Sequence, residues 1–305
     1  MRMKKVLVVY YSQTGQLENV LKSFTSKLAD EEIKVDMRPI KPKLKYPFPW
    51  PFYTFFDEFP EAVQLDGCEI EDLEELEEDY DLIILGYTVW YMAPSIPVTA
   101  FMQSVQAKQI FKNKPVVTVV ACRDMWVLAQ EKMKNMIDTV DARLIDHVAL
   151  TDQSGSVLSL VTLPMWMFTG DKKFFSALPQ AGITQENIDN CVRFGERLNS
   201  SLKEDKEKNT DAMLTNLGAV SVNAKLIATE KIANRSFQIW TQLIKWSGKK
   251  YSVGRKITIT IYFVFLVLLL LTIVPLNILS RKILNIFQKE KLEAMEAKYE
   301  LPSGK

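Results

Sequence analysis

Short apolar runs alternate with amphipathic stretches over the first two-thirds of the chain. The runs predict five strands, at Val6–Tyr11, Ile33–Ile40, Leu82–Tyr87, Val116–Ala121 and Arg143–Leu150. Apolar residues at helical spacing predict the helices, at Gln16–Asp30, Val98–Gln106, Trp126–Val140 and Gln185–Lys203. Strands that alternate with helices in this way form a parallel sheet with helices on both faces. We therefore predict an α/β domain over residues 1–203, with a five-stranded, doubly wound parallel sheet of order 2-1-3-4-5.

The last third of the chain contains a long apolar stretch. Ile257–Leu279 carries no charged residue. As an α-helix it would be about 35 Å long, against about 30 Å for the hydrocarbon core of a bilayer. We predict a transmembrane helix over residues 256–280 and a charged tail over residues 281–305. Pro275 and Asn277 leave open a bent segment that enters the membrane and returns.

Residues 204–255 connect the sheet domain to this stretch. Lys203–Thr210 has the composition of a charged linker, and Asp211–Ser247 has a largely helical pattern. Aromatic residues stand beside lysines there, as Trp246 does next to Lys245, which is typical of a helix at a membrane surface. A helix packed on the sheet domain is the alternative.

Three segments interrupt the alternation of strands and helices. Lys41–Pro60 is dense in proline and aromatic residues, and its alternating prolines exclude a regular helix or a central strand. It either plugs an edge of the core or forms an apolar lid. The acidic run Glu69–Asp81 predicts a solvated helix or an approach to the third strand. Ser156–Gly170 is apolar but too short to cross a bilayer, so it suits an interfacial insertion or the wall of a lipophilic pocket.

Composition narrows the possible functions and the compartment. The 305 residues carry a formal net charge of +1, so we expect no nucleic-acid partner. The 3 cysteines are widely separated and lack metal-ligand spacing, which predicts no metal site and a reducing compartment. Too few apolar residues follow the N-terminal lysines for a signal peptide. We therefore expect the main domain to be cytoplasmic.

The turn after the first predicted strand opens a helix, and this order of elements makes an anion site. Backbone N–H groups and the positive end of the helix dipole meet there, and Gly15 lets the backbone come close to a ligand. The spacing fits neither a P-loop nor the three-glycine dinucleotide fingerprint. An ordinary strand-to-helix turn is the alternative. The residues assigned to this phosphate cradle are Ser12, Gln13, Thr14, Gly15, Gln16 and Leu17.

The cradle resembles the phosphate loop of flavodoxins, Ser/Thr-x-Thr-Gly-x-Thr, which wraps the 5′-phosphate of FMN without a positive side chain. Leu17 stands where that family usually has its last Thr, so one hydroxyl donor is missing. The resemblance implies a flavodoxin-like sheet and FMN as the cofactor. In such a sheet the ligand lies between strands one and three, so the loops after Tyr11, Tyr87 and Ala121 should share one rim.

The second and third loops offer partners for a flavin ring. Trp90 and Tyr91 are the stacking candidates, with closure of the sheet's end as the alternative. Arg123 offers fixed donors for an enolate or for reduced flavin, with a surface salt bridge as the alternative. His147 is the single histidine of the chain, and it has either a proton-transfer role or a structural hydrogen-bonding role. These loops add Thr88, Val89, Trp90, Tyr91, Cys122 and Arg123 to the predicted cofactor site, and the predicted catalytic residues are Arg123, Asp124 and His147.

Six segments together resemble one bacterial family, labelled dialkylresorcinol condensing enzyme, over roughly residues 1–200. They are Tyr10-Tyr-Ser-Gln-Thr-Gly-Gln-Leu, Pro47-Phe-Pro-Trp-Pro-Phe, Phe59-Pro-Glu-Ala-Val, Gly86-Tyr-x-x-Trp90, Ser95-Ile-Pro-x-Thr-Ala-Phe and Ala121-Cys-Arg-x-Met-Trp126. The resemblance implies a place in dialkylresorcinol or flexirubin biosynthesis, beside a ketosynthase-like partner that performs the condensation. A flavodoxin-like sheet offers no acyl-thioester machinery, so the role implied is an aromatase that oxidises a dialkylcyclohexane-1,3-dione to the resorcinol.

We therefore expect a membrane-anchored, FMN-dependent oxidoreductase that acts on a lipophilic cyclic substrate and contacts membrane lipid. Two other functions stay open. One is a membrane-tethered electron carrier or quinone reductase, and the other is a flavodoxin-shaped scaffold that has lost flavin.

Overall fold

The computed structural model of the chain describes residues 2–77, 79–152, 158–284 and 289–300. Five strands form a parallel sheet of order β2-β1-β3-β5-β6, which confirms the predicted order 2-1-3-4-5 for the five main strands. They are β1 (Lys4–Tyr10), β2 (Ile33–Pro39), β3 (Leu82–Trp90), β5 (Pro115–Cys122) and β6 (Arg143–Thr151). A sixth strand that the sequence did not predict, β4 (Ala93–Pro94), pairs antiparallel with the end of β3.

Helices cover both faces of the sheet, as the alternating pattern predicts. Strand residues alternate between the two cores: Val6 and Val8 belong to one, and Leu7 and Val9 to the other. The first core is covered by α1 (Gln16–Thr25), α8 (Gln185–Asp189) and α9 (Val192–Lys203). The second is covered by α4 (Ile96–Met102), α5 (Val105–Phe111) and α6 (Val127–Thr139). The helices predicted at Val98–Gln106 and Gln185–Lys203 are therefore each divided in two.

Close packing of α9 on α1 depends on Gly195. A Cβ atom on Gly195 would lie 2.0 Å from the backbone oxygen of Phe24, far inside contact distance. Only glycine lets the two helices approach this closely, so the first core is closed at this crossing by backbone rather than by side chains.

The proline-rich segment is partly helical, which corrects the prediction that its prolines exclude a regular helix. It contains α2 (Phe52–Asp57), and α3 (Phe59–Gln64) follows at once. Pro51 is the residue that precedes α2, and Pro60 lies in the first turn of α3. Proline is tolerated at both places because the first backbone N–H groups of a helix have no partner within the helix.

The acidic run contains no helix among its described residues, from which Glu78 is missing. Ile70 forms an isolated antiparallel bridge with Pro42, so the run approaches β3 along the proline-rich segment. The apolar segment predicted at Ser156–Gly170 forms α7 (Ser159–Thr169), while Ser156 and Val157 lie outside the described residues.

Residues 204–222 pack on the sheet domain instead of forming a free linker. The buried Asp146 carboxylate on β6 accepts the backbone N–H groups of Met213 (2.8 Å) and Leu214 (3.0 Å). Both residues, together with Ala219, belong to the first core. Lys4 at the start of β1 pairs with Glu207 at 2.5 Å. The sheet domain therefore extends beyond the boundary predicted at residue 203.

Three helices complete the chain: α10 (Ala224–Trp246), α11 (Val253–Leu284) and α12 (Lys289–Tyr299). The predicted transmembrane stretch lies in α11. Within the described residues, Val253–Thr272 is the one helical segment long and apolar enough to cross a membrane, with a mean hydropathy of 2.0. The predicted tail begins within α11, which continues to Leu284, and it also contains α12; residues 285–288 and 301–305 lie outside the described ranges.

The helix predicted to lie at a membrane surface also packs on the sheet domain. The ring of Phe237 on α10 lies edge-on to Phe59 of α3, with 5.1 Å between centroids. Ile244 is fully buried, whereas Ile239 and Trp246 are mostly exposed. The packed arrangement, given as the alternative, therefore holds for one face of α10, and the other face is open and carries both apolar and polar residues.

Candidate functional site

A cavity of about 330 Å³ lies at the carboxyl ends of β1, β3 and β5. The loops that follow these strands all line it, as expected for the switch point of a doubly wound sheet. Its remaining walls come from the proline-rich segment, from α7 and from α10. The cavity therefore joins the predicted cradle to segments whose roles the sequence left open.

The loop between β1 and α1 leaves the start of α1 open to a ligand. Gly15 has φ +80°, and no atom lies within 4 Å of the position that a Cβ would occupy. It precedes α1 and has no side chain to cap it, so the positive end of the helix dipole faces the cavity, although two of the first amides already have hydroxyl acceptors. Thr14 is exposed and lines the cavity, and its Oγ1 accepts the Gln16 N–H at 3.4 Å. Ser12 Oγ accepts the Glu18 N–H at 3.2 Å.

The other three residues assigned to the cradle are held by the protein. Gln13 Nε2 donates to the Pro47 carbonyl at 2.8 Å, which ties the cradle to the proline-rich segment. The Gln16 amide makes two hydrogen bonds of 3.2 Å with the backbone of Ile183. The Leu17 side chain is buried in the first core. These residues therefore shape the loop, and Leu17 can offer a ligand only its backbone N–H.

The loop after β3 is a two-residue hairpin turn in an uncommon conformation. Tyr91 (φ +51°) and Met92 (φ +60°) are both left-handed, and they connect the paired residues Trp90 and Ala93. Such a turn matches the twist of a hairpin, but glycine or asparagine usually occupies it. The Tyr91 hydroxyl donates to the Phe55 carbonyl at 2.7 Å. That bond holds the strained turn against α2, and strain of this kind is common at functional sites.

Thr88 and Trp90 line the cavity on the strand side of this turn. Thr88 Oγ1 is buried, and no partner for it lies among the described residues. Trp90 packs edge-on against Tyr46 and Trp50, at centroid distances of 5.0 and 5.5 Å. Its ring is therefore fixed in an aromatic cluster, while Thr88 offers an unused hydroxyl group. Val89 also lines the cavity.

The loop after β5 brings Cys122, Arg123 and Asp124 to the cavity. Burial raises the pKa of the Cys122 thiol well above its usual range, so this residue is no thiolate nucleophile. Arg123 is half-buried, burial lowers the pKa of its guanidinium, and it forms no ion pair within the described ranges. Asp124 Oδ1 accepts the Met125 N–H at 3.0 Å. Arg123 is thus the cation at this rim with donors to offer a ligand.

His147 lies away from the cavity, in the interior of the sheet. It is buried, and its Nδ1 lies 2.8 Å from Thr118 Oγ1. Gln130 Nε2 donates to the same Thr118 oxygen at 3.1 Å. Burial lowers the pKa of His147 to about 3, so the ring is neutral at ordinary pH. The structure therefore gives His147 the structural role, and it does not bring this predicted catalytic residue to the site.

Several cavity residues were not predicted from the sequence. Trp50 and Phe55 of the proline-rich segment form one apolar wall, and Trp166 and Met167 of α7 form another. The two walls are joined by the Trp50 N–H, which donates to the Met167 carbonyl at 2.8 Å. Phe237 of α10 closes the cavity from the C-terminal side. The available signal was the apolar composition of the first two segments, which predicts a core plug or a lid for one and an interfacial insertion or a pocket wall for the other.

Glu58 is an acidic residue of this site that no motif could have indicated. It lines the cavity and is almost fully buried. Its Oε1 lies 2.6 Å from Lys250 Nζ, whereas its Oε2 has no hydrogen-bond partner among the described residues. Burial raises the pKa of Glu58, and the ion pair with Lys250 opposes that change. Glu58 and Lys250 are far apart in sequence, so only the fold reveals the pair.

Comparisons with known proteins add solved structures of similar topology. No family model matches the chain, and no curated protein does. A flavoprotein in complex with FMN from Lactobacillus acidophilus is 22% identical, with 48% of this chain and 92% of that chain covered and a TM-score of 0.39. An oxidoreductase from Corynebacterium diphtheriae is 12% identical, with 67% and 99% covered and a TM-score of 0.37. Oxidised flavodoxin 1 from Bacillus cereus is 16% identical, with 63% and 95% covered and a TM-score of 0.32. The strand order and the cavity carry the assignment of the fold, and these likenesses assign no function.

Proposed function

We propose that the chain is a membrane-associated, FMN-dependent oxidoreductase that acts on a lipophilic ring compound. One observation carries the proposal: a single cavity connects an open helix N-terminus at Gly15 to apolar aromatic walls. An anion fits the first end, and a flat apolar ring fits the second. FMN has both parts in one molecule.

The residues present fit FMN at three points. Thr14 and the first amides of α1 would hold the phosphate, without a positive side chain. Thr88 Oγ1 is a buried hydroxyl group in need of a partner, and the polar edge of a flavin ring would supply one. Arg123 would place its charge at the third loop, where it stabilises negative charge on the reduced ring or on a substrate oxygen. Bound FMN would supply a two-electron acceptor.

The rest of the cavity suits the body of an apolar substrate. Trp50, Phe55, Trp166 and Phe237 surround it with aromatic surface, and each buried CH₂ of a ligand would contribute about 0.8 kcal/mol. Alkyl tails would then dominate the affinity. Within this class we favour a dialkylcyclohexane-1,3-dione that is oxidised to a resorcinol, delivered by a ketosynthase-type partner.

Such an oxidation removes a hydride and a proton from neighbouring ring carbons, and the electron pair of the second C–H bond becomes the new double bond. The proton needs a base within the cavity. Glu58 and Asp124 line it and are carboxylates, so they are the candidates. Tyr91 is less suited, because its hydroxyl already donates to Phe55 and burial raises its pKa well above the usual value.

A quinone reductase is the second candidate function, because the same aromatic walls would admit a quinone. The purified protein with FMN separates the two. A dialkylcyclohexane-1,3-dione should bleach the flavin absorbance and yield resorcinol if the first function holds. A quinone should reoxidise reduced flavin, without any product from the dione, if the second one holds.

Flavin binding itself is tested by Thr14→Val, which removes one hydroxyl group with little change in volume. The affinity for FMN should fall by about 1–3 kcal/mol, since a donor to a charged phosphate is lost. Thr139→Val is the matched control, because Thr139 lies at the exposed end of α6 and its hydroxyl bonds the Asn135 carbonyl. Equal FMN titrations for the two variants would refute the assigned cradle, and a colourless protein that ignores added FMN would refute the function.

A further inference from the structure

The start of the apolar helix α11 and the helix that follows it in the chain, α12, both contact the sheet domain. At its start, Arg255 is buried and pairs with Asp57 at 2.5 Å and Glu61 at 2.7 Å. The backbone N–H of Tyr251, just before the helix, donates to the second oxygen of Asp57 at 2.8 Å. One buried carboxylate at the end of α2 therefore fixes the entry into α11.

The first half of α11 then packs on the domain. The ring of Tyr262 stacks on Phe59 of α3 with 4.8 Å between centroids, and Phe263 lies edge-on to Phe52 of α2 at 4.9 Å. Ile259 is fully buried. The ring of Phe59 also contacts that of Tyr91 at the cavity rim, with 5.1 Å between centroids, so Phe59 alone separates α11 from the candidate site at this point.

The next described helix, α12, also contacts the domain. The backbone N–H of Ala224, at the start of α10, donates to Glu296 Oε1 on α12 at 3.3 Å. Met295 and Tyr299 of α12 pack against the first core of the sheet. A helix of 32 residues is about 48 Å long, enough to cross a bilayer and emerge on its far side. Contacts of α12 with the sheet domain are incompatible with such a crossing.

The side of α11 that faces away from the domain is a continuous apolar stripe. Its residues recur every three or four positions, and each is at least half exposed: Val253, Ile257, Ile261, Val264, Leu268 and Leu271. Exposed aromatic residues and basic residues gather at its start, where Trp246 and Tyr251 accompany Lys249 and Lys256. That grouping is typical of a membrane–water interface.

We propose that α11 is an in-plane membrane anchor: its outer stripe enters one leaflet, and the sheet domain and the C-terminal tail lie on the same side of the bilayer. This inference rests on the membrane association in the proposed function and replaces the predicted single span with a helix that lies along one leaflet. Lipid is the occupant that the flanking aromatic and basic residues indicate. The cavity then lies beside the membrane surface, where a lipophilic substrate is concentrated.

Reporter fusions to the full chain test the topology directly. A fluorescent protein that matures only in the cytoplasm and an alkaline phosphatase that is active only outside it are fused in turn before Met1 and after Lys305. We expect both ends to report the cytoplasmic side. Opposite reports from the two ends, with the protein still in the membrane fraction, would establish a crossing helix and overturn the inference alone.

Vesicle binding tests the stripe. Ile261→Ser combined with Leu268→Ser should lower partitioning onto anionic phospholipid vesicles at least about tenfold, because two aliphatic side chains that would be buried in the lipid are lost. Leu44→Ser combined with Val105→Ser changes two aliphatic residues elsewhere that are even more exposed, and it should leave partitioning unchanged.

A stripe variant that keeps its lipid binding but changes from dimer to monomer would assign the stripe to a second copy of the chain and refute the inference. Wild-type protein that ignores vesicles altogether would refute the membrane part of the proposed function instead. FMN titration of the same samples shows whether the flavin part stands independently of either result.

Discussion

The buried pair between Asp57 and Arg255 should be among the strongest single contributions to attaching the C-terminal helices. Each side chain is only 3% exposed. Asp57 accepts Arg255 Nε and the Tyr251 N–H, and the guanidinium also reaches Glu61, which is 19% exposed. Removing one partner leaves a buried charge with less compensation, whereas removing both leaves little unpaired charge.

The arrangement sets the expected magnitudes. Arg255→Met leaves the buried Asp57 carboxylate with a single backbone N–H donor, so the free energy of unfolding should fall by about 3–5 kcal/mol. Asp57→Asn leaves the guanidinium with Glu61, so its cost should be smaller, about 2–3 kcal/mol. The double variant should lose about 3 kcal/mol less than the sum of the single variants, since residues in direct contact are not additive.

Chemical denaturation in detergent micelles, followed by tryptophan fluorescence, measures this double-mutant cycle. The matched control is the exposed pair Glu18–Lys22 on α1, spaced four residues apart, for which about 0.3–0.5 kcal/mol is expected. High salt should weaken the control pair and leave the buried pair nearly unchanged. Additive losses at Asp57 and Arg255, no larger than those of the control, would refute the argument that this pair holds α11 on the domain.

Three further predictions concern packing, titration and the cofactor. Gly195→Ala should lower the unfolding free energy by about 3 kcal/mol in a denaturant titration, because its Cβ would meet the Phe24 oxygen at 2.0 Å. Burial raises the pKa of Asp146 from 3.8 to about 6, so the protonated form is favoured in the folded state. The unfolding free energy of the wild type, relative to that of Asp146→Asn, should therefore fall by up to about 3 kcal/mol as the pH rises from about 4 to about 6. A difference between the two proteins that does not change with pH would contradict this. Arg123→Gln should lower the two-electron midpoint potential of bound FMN by about 30–60 mV, since a charge-assisted hydrogen bond contributes about 1.5–3 kcal/mol, whereas Arg193→Gln, outside the cavity, should not.

Local periodicity was sufficient to predict the sheet. The strands are continuous apolar runs because both of their faces are buried, and five such strands alternating with helices match the doubly wound order 2-1-3-4-5. The turn at Gly15 between β1 and α1 was likewise predictable, because strand, turn and helix follow one another directly in the chain. Features that depend on neighbours in sequence were therefore within reach.

Features that depend on distant contacts were not. The hairpin at Tyr91 and Met92 lacks the glycine or asparagine that signals such a turn, and the Phe55 carbonyl that holds it belongs to another segment. Glu58 lies between α2 and α3, and the cavity includes it because these helices and its ion pair with Lys250 hold it there. His147 is the converse case: its residue type left proton transfer and a structural role open, and its burial in the sheet favours the structural role.

The C-terminal third of the chain is packed into the domain and is more than a membrane anchor. A detachable anchor would leave the sheet domain intact on its own, but here α10 supplies Phe237 to the cavity wall, and α11 supplies Tyr262 to the ring cluster behind it. Asp57 would be left buried without its cation if the chain ended before Arg255. The C-terminal helices therefore also complete the apolar side of the site. Because of this shared packing, any movement of α11 at the membrane has a direct route, through Phe59 and Tyr91, to the rim where the flavin would lie.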